Sequence, residues 1–323
     1  MSRKLIRTHP VDNPRGKCPL TCGRWPYYED DPTAYKQFLQ DYFSFMIDGI
    51  AQPIGLIHND VVQALPWPES WSIDKKKHRL TLYCLDTFEA RTAAVEEALL
   101  KGHHAKASPS LRVWQVDRYP VYSADGKHIF DVNGSGVDVI GARSFAVYLT
   151  AWTNTSEGRK YWVQRRGLTK TLLPGMLDCA VSGRLAPGEL PFNGVIREAG
   201  EEANLPEVLL RERLRPCDVL AASCPRSNQG APAYMCHTQY VYEIELDEDC
   251  KLSCSTDEVE EFKLMTLEEV RSGIDANAFI PGARLVYTAH FIRHGIVTAE
   301  SDDRLEEVCA RLHRRHRLFV PDT

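Results

Sequence analysis

The chain has 323 residues, of which 43% are hydrophobic and 26% are charged, and its 39 basic and 44 acidic side chains give a formal net charge of −5. This is the composition of a globular protein with one large domain or two smaller ones, and it excludes disorder and a collagen repeat. The longest uncharged apolar run, residues 145–152, is too short to span a membrane. The negative charge also argues against nucleic acid or an anionic membrane as a partner.

Ten cysteines are spread through the chain. The first residues lack the apolar core of a secretory signal, so we interpret the cysteines as reduced thiols of a soluble, cytoplasmic protein. The pairs Cys18/Cys22 and Cys250/Cys254 have a spacing that zinc tolerates, but neither pair has the two-residue spacer or the matching histidines of a usual zinc site. Free thiols are the simpler interpretation.

The predicted elements begin near residue 30, after an aperiodic segment, residues 1–29, that is rich in Pro, Gly and basic side chains. A helix start at Asp31 and apolar residues at helical spacing as far as Met46 predict a helix of about four turns. The capping-box pattern that begins at Asp86 predicts a second helix, which Gly102 would close. Short strands are predicted at residues 54–57, 79–84, 111–119 and 128–132.

The pattern changes after the Gly-rich turn at residues 133–136. We therefore predict a small α+β domain over residues 30–135 and a second domain over residues 136–323. In the second domain, strands are predicted at residues 145–152, 161–165, 219–222, 234–246 and 258–265, and helices at residues 267–272, 283–294 and 303–316.

Three carboxylates carry the clearest chemical signal. Glu198, Glu201 and Glu202, hereafter the three helix glutamates, are spaced i, i+3 and i+4, which places them on one face of a helix. Pro191 suits the first turn of that helix, and Asn204 suits the left-handed position after its last turn. Because like charges at this spacing repel, the cluster favours a divalent cation such as Mg²⁺, which takes oxygen ligands and leaves room for a substrate phosphate.

The spacing around these residues resembles the Nudix box. Gly183 is followed after five residues by Glu189, then after seven residues by the run 197–202, and after two more by Leu205. The box normally has Gly where this chain has Asn204, a helix-end position that tolerates Asn. The resemblance implies a Nudix α/β/α sandwich with a mixed sheet, preceded here by the small α+β domain.

The resemblance also implies roles for the residues of the box. Nudix enzymes bind Mg²⁺ or Mn²⁺ and hydrolyse organic diphosphates, so the implied metal ligands are the three helix glutamates and the carbonyl oxygen of Gly183. Arg197 is implied to orient Glu198 through a salt bridge, and Glu189 to brace the loop beside the metal. The main competing interpretation is a solvated acidic helix in which Arg197 simply pairs with Glu201.

A longer resemblance, to the Nudix proteins related to fungal thiamin pyrophosphokinase, covers nearly the whole chain. It is carried by residues 53–65, 111–121, 162–183, 239–249, 257–270 and 279–300. It implies thiamine diphosphate and its oxidised oxo and oxy analogues as substrates, cut to the monophosphate in metabolite repair. The chain departs from the usual family residues at Cys179, at Arg184, where the family has Gly, and at the pair Gly282 and Ala283.

The remaining candidate residues lie on either side of the box. Glu198 or a carboxylate near the strand at 258–265 could act as the general base, with Glu258 as first choice and Glu260 as second because strand alternation puts both on one face. Nudix enzymes often use a distal Glu from this region. Basic residues before the box could bind the substrate phosphates. These are Arg165, Arg166 and Lys170.

Other functions stay open at this point. One is a pyrophosphohydrolase of nucleoside diphosphates linked to a further group. A second is an isopentenyl diphosphate isomerase, because those enzymes share the Nudix fold and use a cysteine near the position of Cys179, although we find no His metal site around the box. A non-catalytic Nudix binding module is a third alternative. The expected partner is a small organic diphosphate, and the sequence leaves a homodimer open.

Overall fold

The computed structural model describes residues 27–84, 86–228, 231–313 and 316. Within them the chain folds into three β-sheets and the helices that cover them. The N-terminal elements are α1 (Pro32–Leu39), β1 (Tyr42–Ile47), β2 (Gly55–His58), α2 (Asn59–Ala64), β3 (Trp71–Asp74), β4 (Arg79–Leu82), α3 (Phe88–His104), β5 (Arg118–Tyr122), β6 (His128–Asn133) and α4 (Val137–Ile140). The first four strands form a sheet in the order β2-β1-β4-β3, and β5 pairs with β6.

The first predicted helix is too long, because its second half is a strand. Asp31 caps α1 as expected and accepts hydrogen bonds from the backbone N–H groups of Thr33 and Ala34. The helix then ends at Leu39, and Tyr42–Ile47 becomes the strand β1, which lies between β2 and β4. The apolar residues of this segment fit both helical and alternating spacing. The segment is a strand because its backbone pairs with β2 on one side and with β4 on the other.

The region between residues 86 and 119 also differs from the prediction. Thr87, not Asp86, caps α3, since its hydroxyl accepts from the N–H of Ala90. Gly102 does not close the helix but lies inside it, packed against Leu65 and Leu111. The predicted strand at residues 111–119 is a 3-10 turn followed by irregular chain, and β5 starts only at Arg118.

The second part of the chain is built on a seven-stranded mixed sheet. Its elements are β7 (Arg143–Thr155), β8 (Gly158–Arg166), β9 (Leu177–Asp178), β10 (Val181–Arg184), α5 (Pro191–Ala203), α6 (Glu207–Arg213), β11 (Arg215–Asn228), β12 (Ala231–Leu246), β13 (Val259–Thr266), α7 (Leu267–Asp275), α8 (Pro281–Arg293) and α9 (Leu305–Leu312). The strand order is β11-β12-β7-β8-β13, with β10 paired to β7 and β9 to β8. Strands β12 and β7 are parallel, and the other pairs are antiparallel.

Successive side chains of β7 point to opposite faces of this sheet and bury two apolar clusters. Val147 and Leu149 pack with α5 on one face, whereas Tyr148 and Trp152 pack with α8 on the other. The result is the expected α/β/α sandwich with a mixed sheet, so the predicted fold class is confirmed. No helix among the described residues is long and apolar enough to cross a membrane.

The N-terminal unit packs closely on the start of β7. Its apolar cluster continues through Val137, Val139, Ile140 and Ala142. Gly141 has a left-handed backbone, and a Cβ atom there would overlap the carbonyl of Leu56, so only glycine permits this approach. The boundary near residue 136 remains a prediction. Cys250 and Cys254 are free thiols, whereas Cys18, Cys22 and nearly all of the aperiodic segment lie outside the described residues.

Candidate active site

Helix α5 carries the three helix glutamates, and both of its ends agree with the prediction. Pro191 occupies the first turn, and Asn204 takes the left-handed conformation after the last turn, with its N–H bonded to the carbonyl of Ala199. Val195 and Ala199 are fully buried against the sheet. Burial of this apolar side fixes the rotation of the helix and turns Glu198 and Glu202 toward β10.

Gly183 and Glu198 are brought into direct contact by this packing. Gly183 pairs with Val147 in the sheet, and its Cα faces the carboxylate of Glu198. A Cβ atom at this position would overlap that carboxylate. The glycine therefore allows the strand backbone and a glutamate to approach the same point, as an ion held by both would require.

Glu202 is the most buried of the three helix glutamates, with 1% of its surface exposed. One carboxylate oxygen accepts hydrogen bonds from the backbone N–H of Ser182 at 3.1 Å and from Nε2 of Gln164 at 3.2 Å. The other lies 3.7 Å from Nζ of Lys170. These contacts hold the carboxylate in place, and one of its oxygens keeps only this longer ionic contact.

Both buried glutamates have raised pKa values. Burial raises the pKa of Glu198 to about 7, against the opposing effect of Arg197. Burial and the neighbouring Glu198 raise the pKa of Glu202 to about 8. A carboxyl group with a raised pKa ionises more readily when a cation binds beside it, so this pair is suited to a divalent ion.

Arg197 connects three carboxylates around the site. Its Nε and Nη2 atoms form a fork with Glu189, at 2.8 and 3.0 Å. It also contacts Glu198 at 3.0 Å and Glu201 at 2.9 Å. The expected salt bridge to Glu198 is thus present, but the bidentate contact of Arg197 is with Glu189. This bidentate pairing lowers the pKa of Glu189.

Glu189 and Glu201 play different parts in this arrangement. Glu189 also accepts a hydrogen bond from the backbone N–H of Ala186 at 3.0 Å, which braces the loop between β10 and α5. Glu201 is exposed, and Arg197 is its ionic partner. Glu201 can therefore reach an ion only from the solvent side of the cluster.

The region before β13 contributes Glu258 and Lys170. Nζ of Lys170 lies 2.5 Å from Glu258 and also faces Glu202, so Glu258 is linked to the cluster through this lysine. Glu258 lies just before β13, which begins at Val259, and the pairing of β13 with β8 is irregular between Val259 and Glu261, so the shared face expected for Glu258 and Glu260 remains a prediction. Glu260 is exposed, and no hydrogen bond or ion pair joins it to the three helix glutamates within the described residues.

The two arginines before the box are engaged with the protein itself. Arg166 bonds to Asp178 at 3.0 Å and to the carbonyls of Leu172 and Leu173. Arg165 bonds to Glu261 at 2.7 Å and to a carbonyl of the same loop. A substrate role for either remains a prediction, and Lys170 is the basic residue of the three that faces the glutamates.

Sequence reasoning missed two groups near the site. Asp178 is fully buried and accepts hydrogen bonds from Ser182 and the N–H of Cys179, which lock the turn before β10. Tyr119, from the N-terminal unit, lies beside Arg184. The run PGMLD at residues 174–178 could have indicated Asp178 from the sequence. No local pattern indicates that Tyr119 lies near the site.

A separate polar cluster lies on the α8 side of the sheet. The carboxylate of Glu243 pairs with Nδ1 of His290 at 2.7 Å, with Nε2 of His294 at 2.9 Å and with the guanidinium of Arg293. These histidine and carboxylate atoms are close enough to hold a metal ion. Because Arg293 already neutralises Glu243, we interpret the cluster as an ion-pair network that anchors α8 to β12.

The residues beside Gly183 fit a hard divalent cation. The converging groups are carboxylates next to a glycine backbone, and oxygen is the donor that Mg²⁺ and Mn²⁺ prefer. Burial is the main cause of the raised pKa values of Glu198 and Glu202, and a cation bound beside them would stabilise both as carboxylates. The donor set therefore matches an ion of this class.

Comparison with known proteins identifies the domain that contains the three helix glutamates. The family model described as NUDIX domain matches residues 145–286. The chain is 25% identical over 256 residues to "Uncharacterized protein YJR142W" of Saccharomyces cerevisiae, covering 76% of this chain and 74% of that protein. It is 24% identical over 291 residues to "Nudix hydrolase 24, chloroplastic" of Arabidopsis thaliana, covering 86% and 73% respectively.

A third relative supports the same assignment. "Nudix hydrolase 20, chloroplastic" of Arabidopsis thaliana is 26% identical over 228 residues, which is 68% of this chain and 57% of that protein. These matches extend well beyond the glutamate helix, and the box occupies the loop and helix that form the site. The chain therefore carries a Nudix domain over residues 145–286, the domain of hydrolases that act on diphosphate bonds.

Proposed function

We propose that this protein is a Mg²⁺-dependent pyrophosphohydrolase of organic diphosphates, with thiamine diphosphate and its oxidised oxo and oxy analogues as preferred substrates. The products would be the monophosphate and phosphate. One observation carries the metal-dependent chemistry: Gly183, Glu198 and Glu202 converge at one point, with Lys170 beside them. The choice of substrate depends on the sequence resemblance, which extends over both parts of the chain.

The metal would be held by the three helix glutamates and the carbonyl of Gly183, with Mn²⁺ as an alternative to Mg²⁺. When bound, it would polarise the phosphoryl oxygens and neutralise charge on the departing phosphate. Arg197 holds Glu198 and the box loop in position. Lys170 presents a positive charge next to Glu202, where it can also meet a phosphate oxygen.

The general base is a separate part of the proposal. Glu258 is exposed on one side and paired with Lys170 on the other, so it can reach both solvent and the cluster. Its carboxylate could take a proton from an attacking water. Glu260, which is exposed and lies at the strand irregularity, is the second candidate.

The N-terminal unit would cover one side of the substrate cleft and set specificity. We also propose a reducing compartment such as the cytoplasm, given the free thiols. A fragment of residues 137–323 that folds and keeps the substrate preference of the full chain would contradict the role of the N-terminal unit. Phosphate-release assays on both proteins provide the comparison.

The function is tested by a substrate panel with Mg²⁺. The panel contains thiamine diphosphate, oxothiamine and oxythiamine diphosphates, nucleoside diphosphate sugars and dinucleotides, and the products are resolved by phosphorus NMR. We expect the oxidised thiamine diphosphates to give the highest kcat/KM. A nucleotide substrate that wins by about tenfold or more would overturn the substrate class but keep the hydrolase.

Two other functions give distinct results in the same panel. Isopentenyl diphosphate converted to its allylic isomer without phosphate release would identify an isomerase. The thiol of Cys179 is fully buried and its pKa is raised well above the ordinary value, which speaks against a reactive cysteine. Binding of a diphosphate without any turnover would identify a non-catalytic module.

A further inference from the structure

The N-terminal hairpin of β5 and β6 brings an aromatic side chain to the edge of the Nudix box. Tyr119 lies on β5, and the guanidinium carbon of Arg184 is 5.1 Å from the centre of its ring. Arg184 directly follows Gly183, whose backbone touches Glu198. Tyr119 of the N-terminal unit thus contacts the residue that follows Gly183, the glycine proposed to bind the metal.

Arg184 is held firmly between the two parts of the chain. Its Nη2 atom lies 3.3 Å from Oδ1 of the buried Asp138, and its backbone carbonyl accepts a hydrogen bond from Arg197. The side chain is only 17% exposed. Arg184 thus reaches from the box to the N-terminal unit, where it contacts Asp138 and Tyr119.

The ring of Tyr119 has little freedom to leave this place. Arg184 covers one part of it, and a Cβ atom on Gly134 would lie 3.0 Å from its Cε2 atom. Burial raises the pKa of Tyr119, and the charges of Glu198 and Glu258 raise it further. The phenol therefore stays protonated at neutral pH, and its ring lies at the edge of the box beside Arg184.

We propose that the hydroxyl of Tyr119 donates a hydrogen bond to a phosphoryl oxygen of the bound organic diphosphate, and that Arg184 positions the ring for this contact. The inference rests on the proposed function, since it assumes that the diphosphate binds over Gly183 and Glu198. Tyr119 then contacts the substrate directly. Arg184 acts through Tyr119 and is a positioning residue.

The first experiment removes only the hydroxyl. Tyr119→Phe keeps the ring and its packing, and Tyr122→Phe is a matched control on the same strand, since Tyr122 packs against Phe145 and His128 away from the glutamates. Calorimetry measures the affinity of methylenediphosphonate, a diphosphate that cannot be hydrolysed, in the presence of Mg²⁺. We expect Tyr119→Phe to weaken binding roughly tenfold, as for one lost hydrogen bond to a charged group.

The second experiment tests the positioning role through a double-mutant cycle. Arg184→Gln alone should weaken methylenediphosphonate binding, and the same change should have little effect once Tyr119 is already Phe. Arg184→Gln also removes an ionic partner of the buried Asp138, so a lower melting temperature is expected, but additive losses of affinity in the cycle would mean that Arg184 does not act through Tyr119. Mg²⁺ affinity without the diphosphate should be unchanged in each variant, because neither residue is a metal ligand.

The outcomes separate this inference from the proposed function. Equal affinity and equal kcat/KM in wild type and Tyr119→Phe would overturn the inference and leave the hydrolase intact. If no member of the substrate panel is hydrolysed but methylenediphosphonate still binds more weakly to Tyr119→Phe, the proposed function fails and the Tyr119 contact stands. If the wild type binds no diphosphate with Mg²⁺, both are wrong.

Discussion

The carboxylate of Glu198 lies against the Cα of Gly183 and occupies the space that a side chain at residue 183 would fill. Neither residue can move away easily. Gly183 is fixed by pairing with Val147 in the sheet, and Glu198 is fixed by the buried face of α5 and by Arg197. The pair therefore makes the position of the glutamate depend on the absence of a single methyl group.

We predict that Gly183→Ala displaces Glu198 and disables the site. A displacement of about 1 Å in a reacting group costs roughly a hundredfold in rate, so Mg²⁺-dependent phosphate release should fall by at least that order. Circular dichroism would check that the variant is folded. Activity within a factor of about two of wild type would show that Glu198 can move without loss, contrary to the geometry.

Gly200→Ala is the matched control, because it places the same methyl group on the exposed side of α5. Nothing lies within 4 Å of a Cβ atom at Gly200. Replacing Gly by Ala inside a helix stabilises it by about 1 kcal/mol, so this variant should be active and slightly more stable to urea. Loss of activity in both variants would show that an added methyl group near the site is harmful without a clash with Glu198.

Glu201→Gln and Glu202→Gln should lower kcat by orders of magnitude, with high Mg²⁺ restoring only part of the loss. Folding should barely change, since each substitution keeps the shape of the side chain. Without metal, Glu202→Gln relieves the repulsion between Glu202 and Glu198. The measurement is phosphate release together with the thermal shift caused by Mg²⁺. Full activity in Glu202→Gln with an unchanged thermal shift would mean that α5 is a solvated acidic helix and not a metal site.

Glu189→Gln should be milder than either of these changes. The amide can still accept from the N–H of Ala186, but it loses one charged arm of the fork with Arg197. We expect a loss of kcat of about tenfold, with little change in Mg²⁺ affinity, because Glu189 supports the loop and is not an expected ligand. Steady-state kinetics and metal titration of the variant would test this, and a loss as large as that of Glu202→Gln would make Glu189 a ligand.

The parts of the site that sequence could predict are local in the chain. The box spacing, the helix start at Pro191 and the end at Asn204 all depend on neighbouring residues and agree with the structure. The prediction fails where pairing between distant strands decides the outcome. The segment Tyr42–Ile47, predicted as part of a helix, is the strand β1 because it pairs with β2 and β4. No local pattern indicates the irregular pairing of β13 between Val259 and Glu261.

Contacts between the two parts of the chain were beyond reach for the same reason. Tyr119 and Arg184 are neighbours because the N-terminal hairpin packs on the sheet, and no periodicity in either segment encodes that contact. The salt bridge between Arg166 and Asp178 could not be predicted from the sequence either. A basic residue before a phosphate site gives the same sequence pattern whether it binds the substrate or another side chain of the protein.

Arg166 and Lys170 should therefore respond differently to substitution. Arg166→Gln removes the charge partner of the buried Asp178 and frees two loop carbonyls, so the melting temperature should drop by several degrees. Lys170→Gln should leave the melting temperature nearly unchanged and raise KM. Thermal unfolding and kinetics of both variants are the measurements. An unchanged melting temperature with raised KM in Arg166→Gln would identify Arg166 as a substrate ligand.

The last prediction concerns the network around Glu243. Burial opposes ionisation of Glu243, but hydrogen bonds from His290, His294 and Arg293 lower its pKa below the ordinary value. Burial lowers the pKa of His290. As pH falls below about 6.5, the unfolded chain protonates His290 before the folded chain does, and below about 4.3 it also protonates Glu243 first. Both groups therefore make the protein less stable in acid.

Glu243→Gln should flatten this dependence. At pH 7 the variant should be less stable than wild type, because Arg293 loses an ionic partner in a mostly buried position. As pH falls below about 4.3, the free energy of unfolding should decline less steeply in the variant, because it lacks the carboxylate that the folded chain keeps ionised, so the difference between the two proteins shrinks. Urea unfolding at a series of pH values measures both curves. Parallel curves over this range would mean that Glu243 is protonated equally in the folded and unfolded chains, which the hydrogen bonds to its carboxylate do not permit.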